Sequence, residues 1–168
     1  MDIRNLIRAR GPRLKDMNYY KSCPSCGAPV QHYRNPLPTV DIVIFVPPEK
    51  IVLVERKNYP VGWALPGGFV DYGERVESAA MREAREETGL DVVLTGLLGV
   101  YSHPDRDPRS HTLSVVYTAY PLNANDLAAG DDASRVRLFS WHDLPDLVFD
   151  HNRIVHDFIL FQKKLGSV

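Results

Sequence analysis

The chain lacks any long apolar run. No stretch approaches the roughly 20 consecutive apolar residues that span a bilayer. The first 21 residues are basic and have no apolar centre of the kind a secretory leader carries. A cytoplasmic protein with no membrane partner is expected. An excess of one charge is also missing: 20 Lys and Arg stand against 21 Asp and Glu, for a net charge of −1. So balanced a surface has no broad field for nucleic acid, and none is expected as a partner. An anionic ligand must be held by local groups. Cysteine is scarce, with only Cys23 and Cys26, so a disulfide scaffold is excluded. Their Cys-Pro-Ser-Cys spacing, followed by Gly27, reads as a metal knuckle more than a disulfide. Two thiolates are half of a four-ligand Zn²⁺ site. His32 is a candidate third ligand, a two-fold dimer would pool two knuckles, and a metal-free remnant is the alternative.

What is present suits one ordinary domain with a real core: 168 residues, 44% of them hydrophobic. Residues 1–35 read as an extension rich in turn formers, and Asn35, Pro36 and Pro38 punctuate the chain after it. Residues 36–168 read as the main domain. Residues 39–46 and 51–56 are rich in Val and Ile and predict two strands, expected to pair antiparallel across the turn Pro47-Pro48-Glu49-Lys50. A loop with Pro60, Gly62, Pro66, Gly67 and Gly68 follows. Residues 75–88 predict a helix, with Gly89 placed to cap it. Residues 91–101, 112–121 and 136–140 predict strands, separated by polar loops at 102–111 and 123–134. Residues 151–164 predict an amphipathic helix with Ile154, Val155, Phe158 and Ile159 buried. Strands mixed with two helices imply an α+β sandwich rather than a regular βαβ series.

The first helix carries the chemistry. On a wheel of about 100° per residue, Val76, Ala79, Ala80 and Ala84 share one side, and Glu83, Glu86 and Glu87 fall with them. Arg82, Arg85 and Ser78 point away. Carboxylates at this spacing are neighbours, and beside an alanine face they repel and lose hydration. A hard divalent cation resolves both costs, and Mg²⁺ also keeps waters and binds phosphates. The bland alternative is a surface helix laced with pairs such as Arg82–Glu86.

The preceding residues favour the metal. Gly68 is followed by Glu74 and then by Arg82-Glu83-Ala84-Arg85-Glu86-Glu87-Thr88-Gly89-Leu90. This run resembles the Nudix box, G-x5-E-x7-R-E-U-x-E-E-x-G-U with U apolar, at every fixed and every apolar position. The resemblance covers about residues 36–168. Within that superfamily the chain is most similar to the ADP-ribose pyrophosphatase group, through Val54-Glu55-Arg56-Lys57, the stretch from Gly62 to Val70, Gly99-Val100-Tyr101-Ser102 leading into Asp105-Arg106-Asp107-Pro108-Arg109, and Phe149-Asp150-His151.

The resemblance implies an α/β/α sandwich around a mixed β-sheet with a catalytic loop–helix–loop. It implies Glu83, Glu86 and Glu87 as Mg²⁺ ligands, with Mn²⁺ as a substitute, and a backbone carbonyl near Gly68 completing the site. Glu74 and Arg82 would brace the motif, and Arg56 would reach a phosphate. A water activated by the metal would attack phosphorus in line, and ADP-ribose would yield AMP and ribose 5-phosphate. Asp132 is the candidate general base, Asp131 the runner-up, and a turn aspartate the bland alternative. Arg106 and Arg109 on the 102–111 loop suit phosphate or ribose oxygens. Trp63 or Tyr59 would stack on adenine, with core packing the alternative for Trp63. His151 either supports the site or follows an Asp150 that caps the last helix. A homodimer is implied by the same resemblance. The rivals are a pyrophosphatase of NADH or of damaged nucleotides, and a non-catalytic regulator that senses ADP-ribose.

Overall fold

A computed structural model describes residues 18–33, 35–123, 127 and 133–165. The chain divides into two compact units, Met1–Pro36 and Leu37–Val168. In the first, β1 (Asn18–Ser22) pairs antiparallel with β2 (Pro29–Tyr33). The cysteine turn lies between them.

The second unit is built on β3 (Leu37–Val46). Its core run is buried on both faces, which is why its sequence is nearly unbroken Val and Ile. Side chains alternate along a strand. Val40, Ile42 and Ile44 go to one core, with Ala79, Ala80 and Ala84 of α1 (Val76–Thr88). Val43 and Phe45 go to the other, with Ile154, Val155 and Phe158 of α2 (His151–Leu165). One helix thus covers each face of the sheet, as the sequence implies. The alanines of α1 let that helix lie close. Gly89 ends it in a left-handed conformation, φ 72°, with its N–H on the Arg85 carbonyl.

On one side β3 runs parallel to β8 (Thr112–Pro121), which pairs antiparallel with β7 (Val92–Tyr101). On its other side β3 meets two strands in turn. Its start pairs antiparallel with β6 (Gly67–Phe69), and its end pairs with β4 (Lys50–Arg56) at Phe45↔Ile51 and Val46↔Lys50. Strand β4 continues to β5 (Gly62–Ala64) and β9 (Ala133–Ser140). The sheet is therefore mixed, and it parts where β4 leaves β3. The short strands β5 and β6, read from sequence as loop, bring Gly67 and Gly68 beside Asp41 and Val40. None of the described helices is long and apolar enough to cross a membrane.

Candidate active site

A cavity of about 340 Å³ opens where β6, α1 and the residues before α2 converge. Glu83, Glu87, Gly67 and Gly68 line it, as do Arg56, Arg109, Phe69 and Phe149. Acidic groups and guanidinium groups thus share one pocket.

The acidic side is crowded. Glu87 accepts a hydrogen bond from the Gly67 N–H at 2.9 Å. Burial pushes its pKa up to about 7; the Gly67 N–H and Arg56 oppose the shift, and the charges of Glu83 and Asp41 add to it. Glu83 is also pushed up, by burial first, against its bond from Arg82 and with the charges of Glu86 and Glu74 adding. Gly68 leaves room for this carboxylate: a Cβ there would fall 2.4 Å from Glu83 Oε1. Two half-buried carboxylates side by side, with Arg82 shared among Glu74, Glu83 and Glu86, against a side-chain-free backbone, fit a hard divalent cation with oxygen ligands.

Glu86 differs from the expectation that it shares their face. Its side chain is 58% exposed, it does not line the cavity, and it accepts from Arg82 Nη1 at 3.0 Å. At 100° per residue it lies at the margin of the face, where Arg82 captures it. Arg82 does not point away. It bonds Glu74 through Nε and Nη2, both at 2.9 Å, Glu83 through Nη1 at 2.7 Å, and the Phe69 carbonyl at 3.1 Å. It is the brace that the sequence resemblance implies. Among the described residues no three His, Cys, Asp or Glu side chains converge as a metal group.

On the basic side Arg56, Arg109 and Arg106 all line the cavity, but Arg106 is tied to other protein groups. Only 7% exposed, it directs Nε and Nη2 at Asp150, at 3.1 and 2.8 Å, Nη1 at Thr112 and Nη2 at Asp41. Four of its five N–H donors are engaged in the wall of the cavity. Asp150 spends both carboxylate oxygens on it, which displaces the simple cap reading. Trp63 is absent from the cavity lining and packs edge-on against Phe139 at 4.8 Å, so the core alternative describes it. Tyr59 is 67% exposed and also outside the lining. Asp131 and Asp132 lie outside the described residues.

Sequence reasoning missed Asp41. It sits on the α2 side of β3, buried at the floor of the cavity. His151 Nδ1 accepts the Leu65 N–H at 2.9 Å, and His151 Nε2 faces Asp41 Oδ1 at 3.4 Å. The ring's proton therefore sits on Nε2. Burial opposes ionisation of Asp41, but His151, Arg106 and the Ser114 hydroxyl outweigh it and hold the group at about 2. Through His151 this buried network anchors the backbone at Leu65, where the loop enters β6.

The fold and site together define a mixed-sheet sandwich whose glycine loop and acidic helix form one half of a polar pocket. The NUDIX domain model matches residues 35–158, and this chain belongs to that family. Over 129 residues it is 47% identical to an ADP-ribose pyrophosphatase of Methanocaldococcus jannaschii, covering 76% of this chain and 75% of that protein. The NUDIX domain of Shewanella oneidensis NrtR, solved in complex with ADP ribose, superposes with a TM-score of 0.67 at 28% identity, covering 79% of this chain and 90% of that one. A bifunctional NMN adenylyltransferase/ADP ribose pyrophosphatase of Francisella tularensis, solved with AMP and a manganese ion, gives 0.65 at 28% identity, covering 78% of this chain and 42% of that one.

Proposed function

We propose that the chain is a hydrolase that cleaves the diphosphate bond of ADP-ribose to AMP and ribose 5-phosphate, with Mg²⁺, or Mn²⁺ in its place. The observation that carries this reading is the pairing of Glu83 and Glu87 with Arg56 and Arg109 around one cavity. Similarity to the archaeal pyrophosphatase supports the choice of substrate. Glu83 and Glu87 hold the cation with the backbone at Gly68, and Glu86 is secondary while Arg82 retains it. When bound, the cation offsets diphosphate charge and lowers the pKa of a coordinated water. Arg56 and Arg109 bind the phosphate oxygens, and the Asp41 network keeps the loop in place. Asp132 is proposed as the base, with Asp131 second.

The test is a panel at fixed pH and Mg²⁺ with products separated by chromatography. ADP-ribose is expected to show a higher kcat/KM than NADH, diadenosine polyphosphates or 8-oxo-dGTP. Faster turnover of NADH or 8-oxo-dGTP would overturn the substrate assignment.

Residues 1–35 are proposed as a knuckle-bearing extension to the hydrolase domain at 36–168. In the turn between β1 and β2, the Gly27 N–H bonds the Cys23 carbonyl at 2.9 Å. Backbone N–H groups of Ser25 and Cys26 lower the Cys23 pKa, which favours the thiolate that binds metal. His32 pairs with Tyr19, well along the hairpin from this turn, which counts against it as third ligand. Zn²⁺ in protein never exposed to chelator is expected to depend on Cys23 and Cys26 and not on the glutamates. Elemental analysis of the wild type and of C23S decides this, and zinc-free wild type removes the metal. Free thiols suit a cytoplasmic location. Exposed Val93, Leu97 and Val100 on β7 support a homodimer.

A further inference from the structure

Phe149 is the one non-glycine among the described residues with a left-handed backbone, φ 59°. Bulky side chains rarely adopt that conformation, and such outliers collect at ligand sites. Anchors on both sides hold it there. The Val148 N–H bonds the Trp63 carbonyl at 2.9 Å, while Asp150 is tied to Arg106 and His151 to the Leu65 N–H.

The ring of Phe149 lines the cavity, and two of the four arginines that share the lining lie over it. The guanidinium carbon of Arg56 lies 5.1 Å from the ring centroid and that of Arg109 lies 5.3 Å away. Charges of one sign held so close repel. The pKa of Arg56 is lowered, by burial first and then by Arg109. An aromatic face attracts both cations and offsets part of that repulsion. Asp107 fixes Arg109 through Nε and Nη2, at 3.0 and 2.8 Å. Among the described residues Arg56 makes one hydrogen bond, from Nε to the Pro60 carbonyl at 3.2 Å. Its terminal nitrogens have no hydrogen-bond acceptor among the described residues, and the guanidinium that carries them lies over the ring.

We propose that Phe149 is a positioning residue, whose ring and left-handed backbone hold Arg56 and Arg109 as a paired guanidinium clamp for the non-bridging oxygens of a substrate diphosphate. The proposal rests on reading the cavity as a diphosphate site. A clamp set before binding spares the ordering of two long side chains when the anion arrives. Leucine fills similar space without a π face, tyrosine keeps the face, and glycine removes the ring while relaxing the backbone.

The experiment compares F149L, F149Y and F149G in the full chain, using the best substrate of the panel and, by calorimetry with Mg²⁺, the non-hydrolysable probe imidodiphosphate. F149L is expected to raise KM and weaken imidodiphosphate about tenfold, with kcat changed less than about threefold. F149Y is expected to restore both to within about twofold of wild type. F149G is expected to match F149L in KM while its Tm is no lower than wild type, because strain is relieved. A fall in Tm with KM and imidodiphosphate affinity unchanged would make Phe149 structural and overturn the clamp. A wild type that prefers another nucleotide diphosphate, with F149L still losing imidodiphosphate, corrects the substrate and supports the clamp. A wild type that does not bind imidodiphosphate overturns the clamp together with the diphosphate site.

Discussion

Glu87→Gln is expected to lower turnover by on the order of a hundredfold to a thousandfold, the scale for losing one group that stabilises transition-state charge. Glutamine keeps the volume, and its amide oxygen still accepts the Gly67 N–H that Glu87 accepts at 2.9 Å. The fold should persist, with metal-free stability within about 1 kcal/mol of wild type. What is lost is a buried negative charge beside Glu83, the feature that fits a cation. Two measurements check this. Steady-state kinetics should show the collapse in kcat. Thermal denaturation should show Mg²⁺ stabilising the wild type, by about 2.7 kcal/mol at a hundredfold excess over Kd, and leaving the variant unmoved. Full activity at ordinary Mg²⁺ would remove Glu87 from the metal site.

Asp41→Ala is the second large effect, and it falls first on stability. The Asp41 carboxylate is 10% exposed and pairs with Arg106, itself 4% exposed, at 3.1 Å. It also takes the Ser114 hydroxyl and faces His151 Nε2. Removing it leaves buried donors short of an acceptor, at a cost of about 3–5 kcal/mol. At about 2–4 °C per kcal/mol for a chain of this size, Tm should fall by roughly 6–20 °C. Because the folded pKa of Asp41 is depressed, its contribution is complete above the ordinary carboxylate value near ~4 and fades as pH falls toward the folded value of about 2. The gap between wild type and variant should therefore narrow across that acid window. A variant that melts with the wild type at neutral pH would refute the buried network.

The legible parts of the sequence were those with strong local signals. The central strand announced itself through Val40, Ile42, Val43 and Ile44, because burial on both faces requires apolar residues throughout. The first helix was legible from its alanines, arginines and glutamates, and its end from Gly89. Strands β5 and β6 were not, since three-residue segments rich in glycine owe their pairing to neighbouring backbones rather than to their own side chains. Arg106 was assigned to substrate because arginine on a polar loop resembles a phosphate ligand. Its partners Asp41 and Asp150 come from distant positions, and only folding shows that most of its donors are taken. A signal was nevertheless there: a lone aspartate inside an apolar strand needs a buried partner. Phe149 carried no such signal, because a left-handed backbone at a bulky residue cannot be read from its neighbours.

Hydrolysis of a diphosphate at this site depends on its acidic and guanidinium groups together. Its most direct test is to incubate purified protein with ADP-ribose, with Mg²⁺ or with excess chelator, and to separate the products by chromatography. AMP and ribose 5-phosphate in equal amounts, formed only when the cation is present, is the predicted result. Tight binding of ADP-ribose with no product at any Mg²⁺ concentration would contradict it and make the chain a sensor rather than an enzyme.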